Sequence, residues 1–265
     1  MSARTSVAVA ALLTASGVFA QPAVSRPPFE AFDVATIKPT DPDYKGGRFI
    51  TMQSSHVFVA KNYTVKALVV AAYNLNPRAV SGGPAWFDSD RYDIVAKAPN
   101  AVRPNLDEQM SMLRKLLAER FTLTFHREQR ELSIYALTVA KNGPKLKAST
   151  EPPDAPPALV NRIFPGRALL PARNATMEQF ASVMQRAVLD RPVVDRTGLS
   201  GKYDFDLEWM PDEVQFGGHV PPGTPEAQQK PDLFAAIQQL GLRLDATKGP
   251  VEVLVINQVQ RPTAN

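Results

Sequence analysis

Side chains able to do chemistry are sparse in this chain, and none falls into a familiar catalytic spacing. The histidines are His56, His126 and His219, far apart and without the short intervals that place two imidazoles on one metal ion. His126 and Glu128 stand two apart, so a strand would put both on one side. A metal there would need a third ligand from elsewhere, and a solvated strand end explains the pair more simply. There is no cysteine, no Gly-x-Ser-x-Gly and no Ser-x-x-Lys, so the common nucleophile motifs are missing. No glycine-rich phosphate loop occurs. No catalytic residue, cofactor or metal site is therefore assigned, and an enzyme is the less favoured reading.

Binding chemistry is better represented. Asp204, Asp206 and Glu208 alternate with Tyr203, Phe205, Leu207 and Trp209. A period of two places the acids on one face of a strand and the apolar set on the other. The acidic face suits a cation or a basic peptide, but alternation of this kind also marks the solvent side of a half-buried strand. Trp86 and Arg91 follow the turn Ser81-Gly82-Gly83-Pro84, and Asp195 and Arg196 open the corresponding later turn. Aromatic and Arg side chains are favoured anchors, and loops carry function more often than strands. Trp86, Arg91, Asp195 and Arg196 are the candidate ligand-binding residues. The bland alternatives are that Trp86 covers the core and that Asp195 and Arg196 pair locally. Met210 to Pro231 is a Pro/Gly-rich excursion long enough to serve as a lid or partner-binding arm.

The elements that must position these residues recur in order. Thr64 caps a helix with the stripe Val65, Leu68, Val69 and Ala72, and Thr176 with Gln179 opens another with Met177, Phe180, Ala181 and Met184. Each Thr closes an Asn-x-Thr triplet, at Asn62 and Asn174. A basic-Tyr-Asp-apolar run follows each, Arg91 to Ile94 and Lys202 to Phe205, with Thr-to-Tyr spacings of 28 and 27. Asn105 with Glu108 caps a second helix with Leu106, Met110, Leu113 and Leu117 on its buried face, and Asp232 caps its counterpart from Leu233 to Leu240. Paired strands follow in each half, Phe121 to His126 with Ser133 to Ala140, then Leu242 to Thr247 with Val251 to Val259. The expected fold class is α+β, as two tandem related units, each with two helices packed on a small, mostly antiparallel sheet. Residues 29–148 form the first unit, the Pro-rich stretch 149–162 a linker, and 163–262 the second unit.

Arg4 precedes an apolar and small-residue run to Phe19, and Val18-Phe19-Ala20 makes a cleavage site. Residues 1–20 thus read as a secretory signal peptide, too short and too rich in small residues for a good membrane span. The remaining chain of about 245 residues can build an ample core. Without disulfides, that core must hold the fold even in an oxidising compartment. A formal net charge of +4 with scattered Lys and Arg leaves no nucleic-acid footprint.

Several stretches together resemble a known family. They are Leu117 to Phe121, Phe125 to Glu128, Tyr135-Ala136-Leu137, Asn142 to Leu146, Asp190 to Leu199 and Pro250 to Ile256. They look like the soil-associated, Acidobacteria-rich family of exported proteins of unknown function. That family usually has Asp where this chain has Asn257. Its domain also occurs fused to membrane metallopeptidases of the beta-lactam-sensor type, which implies an extracytoplasmic sensing or binding role. Thr176 to Ile256 is also similar in pattern to the short N-terminal domain of secretins and TonB-dependent receptors, a protein-contact module. The expectation is an exported, periplasmic or extracellular, non-enzymatic binding or sensing protein of the cell envelope. Its partner is expected to be an envelope protein, a peptide or a small ligand, held at the turns or in the groove between halves. The alternatives are a secreted hydrolase with a dispersed His/carboxylate site, or a structural assembly module using an exposed strand edge.

Overall fold

The computed structural model describes residues 28–152, 154–218, 220 and 230–262. The expected signal peptide at 1–20, His219 and residues 221–229 of the excursion lie outside the described residues. The first half runs through β1 (Val34–Pro39), β2 (Phe49–Met52), β3 (Val57–Thr64), α1 (Val65–Ala72), β4 (Val80–Gly82), β5 (Arg91–Lys97), α2 (Leu106–Arg120) and β6 (Thr124–Val139). Three short strands follow, β7 (Lys147–Ala148), β8 (Ala158–Leu159) and β9 (Arg162–Phe164). The second half continues with β10 (Arg167–Ala175), α3 (Met177–Val183), a π-helical turn (Met184–Val188), β11 (Val193–Asp195), β12 (Tyr203–Trp209), α4 (Leu233–Gln239) and β13 (Leu242–Gln258). The class is α+β, with four α-helices among the described residues and mostly antiparallel sheets.

Local chemistry explains the helix starts. The Thr64 side chain accepts from Ala67 N, and Asp232 from Ala235 N. Full capping boxes form at Asn105/Glu108 and Thr176/Gln179. The two Asn-x-Thr triplets share a further device. Asn62 and Asn174 sit at φ 61 and 51, in the left-handed region that asparagine tolerates. Each marks a register shift, one between Ala60 and Tyr63 and the other between Ala172 and Ala175. Asp93 Oδ1 accepts from Asn62 N at 3.0 Å, and Asp204 Oδ1 accepts from Asn174 N at 2.9 Å. The Asp of each basic-Tyr-Asp run therefore serves the bulge that enters the helix.

Among the described residues three sheets result. One has the order β1-β5-β3-β2, and another β7-β12-β10-β8 with β9 also on β10. The third, β11-β6-β13-β4, is built on a long antiparallel ribbon of β6 and β13. Each of these two strands is continuous where the sequence pattern predicts a break, near 127–132 and 248–250. The ribbon pairs straight through Arg127↔Leu254, Glu131↔Pro250 and Leu132↔Gly249. Side chains there are mostly exposed, so the hydrophobic alternation that reveals a strand fades while its hydrogen bonds continue. Arg127 and Glu252 pair diagonally across the ribbon.

The ribbon ties two cores together. The first core gathers Phe58, Leu68, Ile94, Leu113 and Leu117, and also Leu254 and Ile256 from β13. The second gathers Leu170, Phe180, Leu207, Trp209 and Ile237, and also Leu137 from β6. The short strands follow the same exchange. β4 pairs in parallel with β13 at Val80↔Leu254, and β11 pairs in parallel with β6 at Val193↔Tyr135. The Pro-rich stretch packs Leu159 against the second core and also contributes carbonyls. Asn174 Nδ2 donates to Ala155 O at 2.6 Å and to Pro152 O at 3.4 Å. Among the described residues no helix is long and apolar enough to cross a membrane.

Candidate functional site

The principal cleft, of about 690 Å3, lies between first-half and second-half elements. One wall carries Ile50 from β2, Tyr63 from β3, Val70 from α1 and Met110 from α2. The other is the π-helical turn with Val214, Phe216 and Gly217. The π turn closes with Leu189 N donating to Met184 O at 2.7 Å. Such turns are rare and concentrate at functional sites. Asn76, fully buried, holds this one from the opposite half. Its Nδ2 donates to Gln185 O at 2.8 Å, while its Oδ1 accepts from Arg78 N at 3.0 Å.

The cleft has a surplus of positive charge. Arg48, Lys66, Arg91 and Arg186 line it, against Asp88 and Asp190. Both carboxylates are already engaged: Asp88 takes Lys66 at 2.8 Å, and Asp190 takes Arg78 at 3.1 Å and Arg191 at 3.3 Å. Arg48, Arg91 and Arg186 have no carboxylate partner among the described residues. Arg48 lies 5.7 Å from the centre of the Tyr63 ring, and Arg91 donates to Asn62 O at 3.1 Å. Arg186 Nε is buried with no hydrogen-bond partner among the described residues. Burial lowers the Arg186 pKa, opposed by the Tyr63 phenol, yet a guanidinium keeps its charge through such shifts. Burial also pushes the Tyr63 phenol up, with Arg48 and Arg186 pulling it down, so at neutral pH it is an O–H donor.

The four residues singled out by sequence are not brought together. Arg91 lines the principal cleft, and Trp86 lies outside it. Trp86 packs against the first core with the Arg261 guanidinium 4.9 Å above its ring, and Arg261 pairs with Asp90. Asp195 lines a second cleft of about 560 Å3 with Asn74, Ser182 and Gln185. Its carboxylate accepts from Thr197 N at 2.9 Å and Thr197 Oγ1 at 2.8 Å, a local turn bond rather than a pair with Arg196. The Arg196 backbone N–H donates to Leu137 O, and its side chain is exposed.

The other candidates also separate. His126 Nδ1 lies 2.7 Å from Asn257 Oδ1, within hydrogen-bond distance. His126 Nε2 is 3.7 Å from Glu128, which itself pairs with Arg130. The acidic strip is already occupied: Asp206 by Arg173 at 2.9 Å and Glu208 by Arg167 at 3.2 Å, both from β10, and Glu208 also by Lys230 at 3.0 Å. No group of three or more His, Cys, Asp or Glu side chains is placed to hold a metal among the described residues.

Sequence reasoning missed Arg48, Tyr63 and Arg186. Arg186 lies within the π turn and lines the cleft, while Val188, four residues past Met184, stays buried. Leu106, expected on the buried face of α2, is 54% exposed at the cleft wall, because it is the first residue of that helix. The only legible signal was the lone Arg between the apolar Met184 and Val188.

Fold and cleft thus define an α+β protein with a cation-lined cleft between elements of its two halves. The chain belongs to the family described as Protein of unknown function (DUF3738), whose pattern matches residues 66–259. That span begins inside α1 and reaches the end of β13, so it takes in the whole ribbon. No curated protein and no solved structure matches the chain.

Proposed function

We propose that this chain is an exported, non-enzymatic binding or sensing protein of the cell envelope, built from two related halves, with its ligand seated in the cleft between them. The observation that carries the reading is the cleft itself, where three arginines lack carboxylate partners among the described residues and one is half-buried. Leaving a buried charge uncompensated is costly, and folds retain such a group where something else compensates it. The N-terminal pattern of residues 1–20 supports export, and the wider resemblance to exported soil proteins agrees with it. The recurrent Asn-x-Thr bulge supports two related halves.

The test is thermal unfolding of the purified chain from Gln21 with metals, sugars, peptides and cell-wall fragments. A ligand at about a hundred times its dissociation constant adds roughly 2.7 kcal/mol. For a chain of this size that is a rise of about 5–10 °C. A rise with one class supports the reading. Turnover of an envelope substrate that disappears in His126→Ala or Glu128→Gln would instead establish a hydrolase.

A further inference from the structure

Resting on that reading of the cleft, we propose its ligand class: an amphipathic oxyanion, with a carboxylate or phosphate head on an aliphatic chain. Arg48, Arg91 and Arg186 are the head-group ligands, and Tyr63 adds a hydroxyl donor. A guanidinium presents a planar fork of donors that matches a carboxylate or phosphate edge. Arg186 Nε is buried without a partner among the described residues, so part of that fork is left for something outside the chain. The two carboxylates in the cleft are each held by a cation, which leaves no free anion there among the described residues to receive an ammonium or a metal ion.

The apolar half of the ligand follows from the rest of the wall. Leu106 and Val214 are 54% and 67% exposed, unusual for such side chains, and both face the cleft. Ile50 and Phe216, both partly exposed, continue that surface, with Met110 and Val188 buried behind it. An alkyl chain would cover these groups. The volume suits one small ligand.

The test is calorimetric titration of the chain from Gln21 with four ten-carbon probes below their micellar concentrations: decanoate, decyl phosphate, decanol and decyltrimethylammonium. Binding of decanoate or decyl phosphate, at least tenfold tighter than decanol and weakened by added salt, is the expected result. Whichever anion binds tighter separates a fatty-acid source from a phosphorylated-lipid source. Arg186→Gln weakens that anion at least tenfold and leaves decanol unchanged. Because Arg186 is half-buried, Arg48→Gln, on the exposed rim, provides the second variant, with the same sign expected. Equal binding of decanol or decyltrimethylammonium overturns the oxyanion assignment while leaving the cleft as a binding site. Anion binding that neither Arg variant alters places the ligand elsewhere and overturns it too. Silence with all four probes, when the broader panel stabilises the protein, removes this ligand class alone. Silence with probes and panel alike removes the cleft reading as well.

Discussion

The exchange of strands between the two cores makes a sharp prediction about cutting the chain. Residues 29–148, expressed alone, keep β1 to β6 but lose β13. Leu254 and Ile256, 0% and 8% exposed, would then be missing from the first core. Burying such side chains is worth about 1.5–3 kcal/mol each, so their loss removes about 3–6 kcal/mol. β6 would also lose its ladder from Phe125↔Ile256 to Val139↔Leu242, at about 0.5–1.5 kcal/mol net per hydrogen bond. A whole domain is stable by only about 5–15 kcal/mol, so the fragment falls below the folding threshold. The complement 149–262 is affected in the same way, since it loses Leu137 and the strand that pairs with β11. The assay is circular dichroism with urea titration of each fragment and of an equimolar mixture. Each fragment alone shows no cooperative transition, and the mixture regains one. A cooperative transition for 29–148 alone, with a midpoint near that of the whole chain, would refute the reasoning.

Three further predictions concern the polar devices that hold the fold. Asp93 accepts from Thr40 Oγ1 at 2.7 Å and Asn62 N at 3.0 Å and pairs with Lys61, so Asp93→Ala costs about 2 kcal/mol in urea unfolding; a loss under about 0.5 kcal/mol would show the bulge to be self-supporting. Burial alone would raise the Asp93 pKa, but the bonds from Lys61, Thr40 and Asn62 outweigh it and the carboxyl is held low. The Asn174 N–H does the same for Asp204, and Lys230 for Glu208. Lowered folded-state values mean that this stability is present above the unfolded carboxylate range near pH 4 and is lost as pH falls through the folded values. The urea midpoint should therefore drop on acidification below about pH 4, with a shallower drop in Asp93→Ala. Asn76→Ala removes the donor that holds Gln185 O and leaves a part-buried carbonyl unmet, at about 1–3 kcal/mol; an unchanged melting temperature would show that the π turn stands without it.

The sequence carried the local devices well. Capping boxes at Asn105 and Thr176 formed as their spacing required, because a cap involves residues within one helical turn. The strand from Tyr203 buries Phe205, Leu207 and Trp209 as its alternation required, because one side faces the second core. The acidic side was also correctly an outer face, although cross-strand Arg167 and Arg173 that occupy it lie over thirty residues away and could not be paired from spacing.

What the sequence by itself determined was the set of parts: an α+β content, where each helix starts, and which Asn-x-Thr and Tyr-Asp pairs recur. These depend on neighbours along the chain, whose distances covalent geometry fixes. The tertiary structure decided how the parts were shared. β6 and β13 run unbroken through charged residues and Pro250 because their ladder is made of backbone groups, to which hydrophobic periodicity is blind. The cleft is likewise a product of packing. Arg48, Tyr63 and Arg186 are over a hundred residues apart at their extremes, and a π turn held by Asn76 from the other half brings Arg186 to face Tyr63.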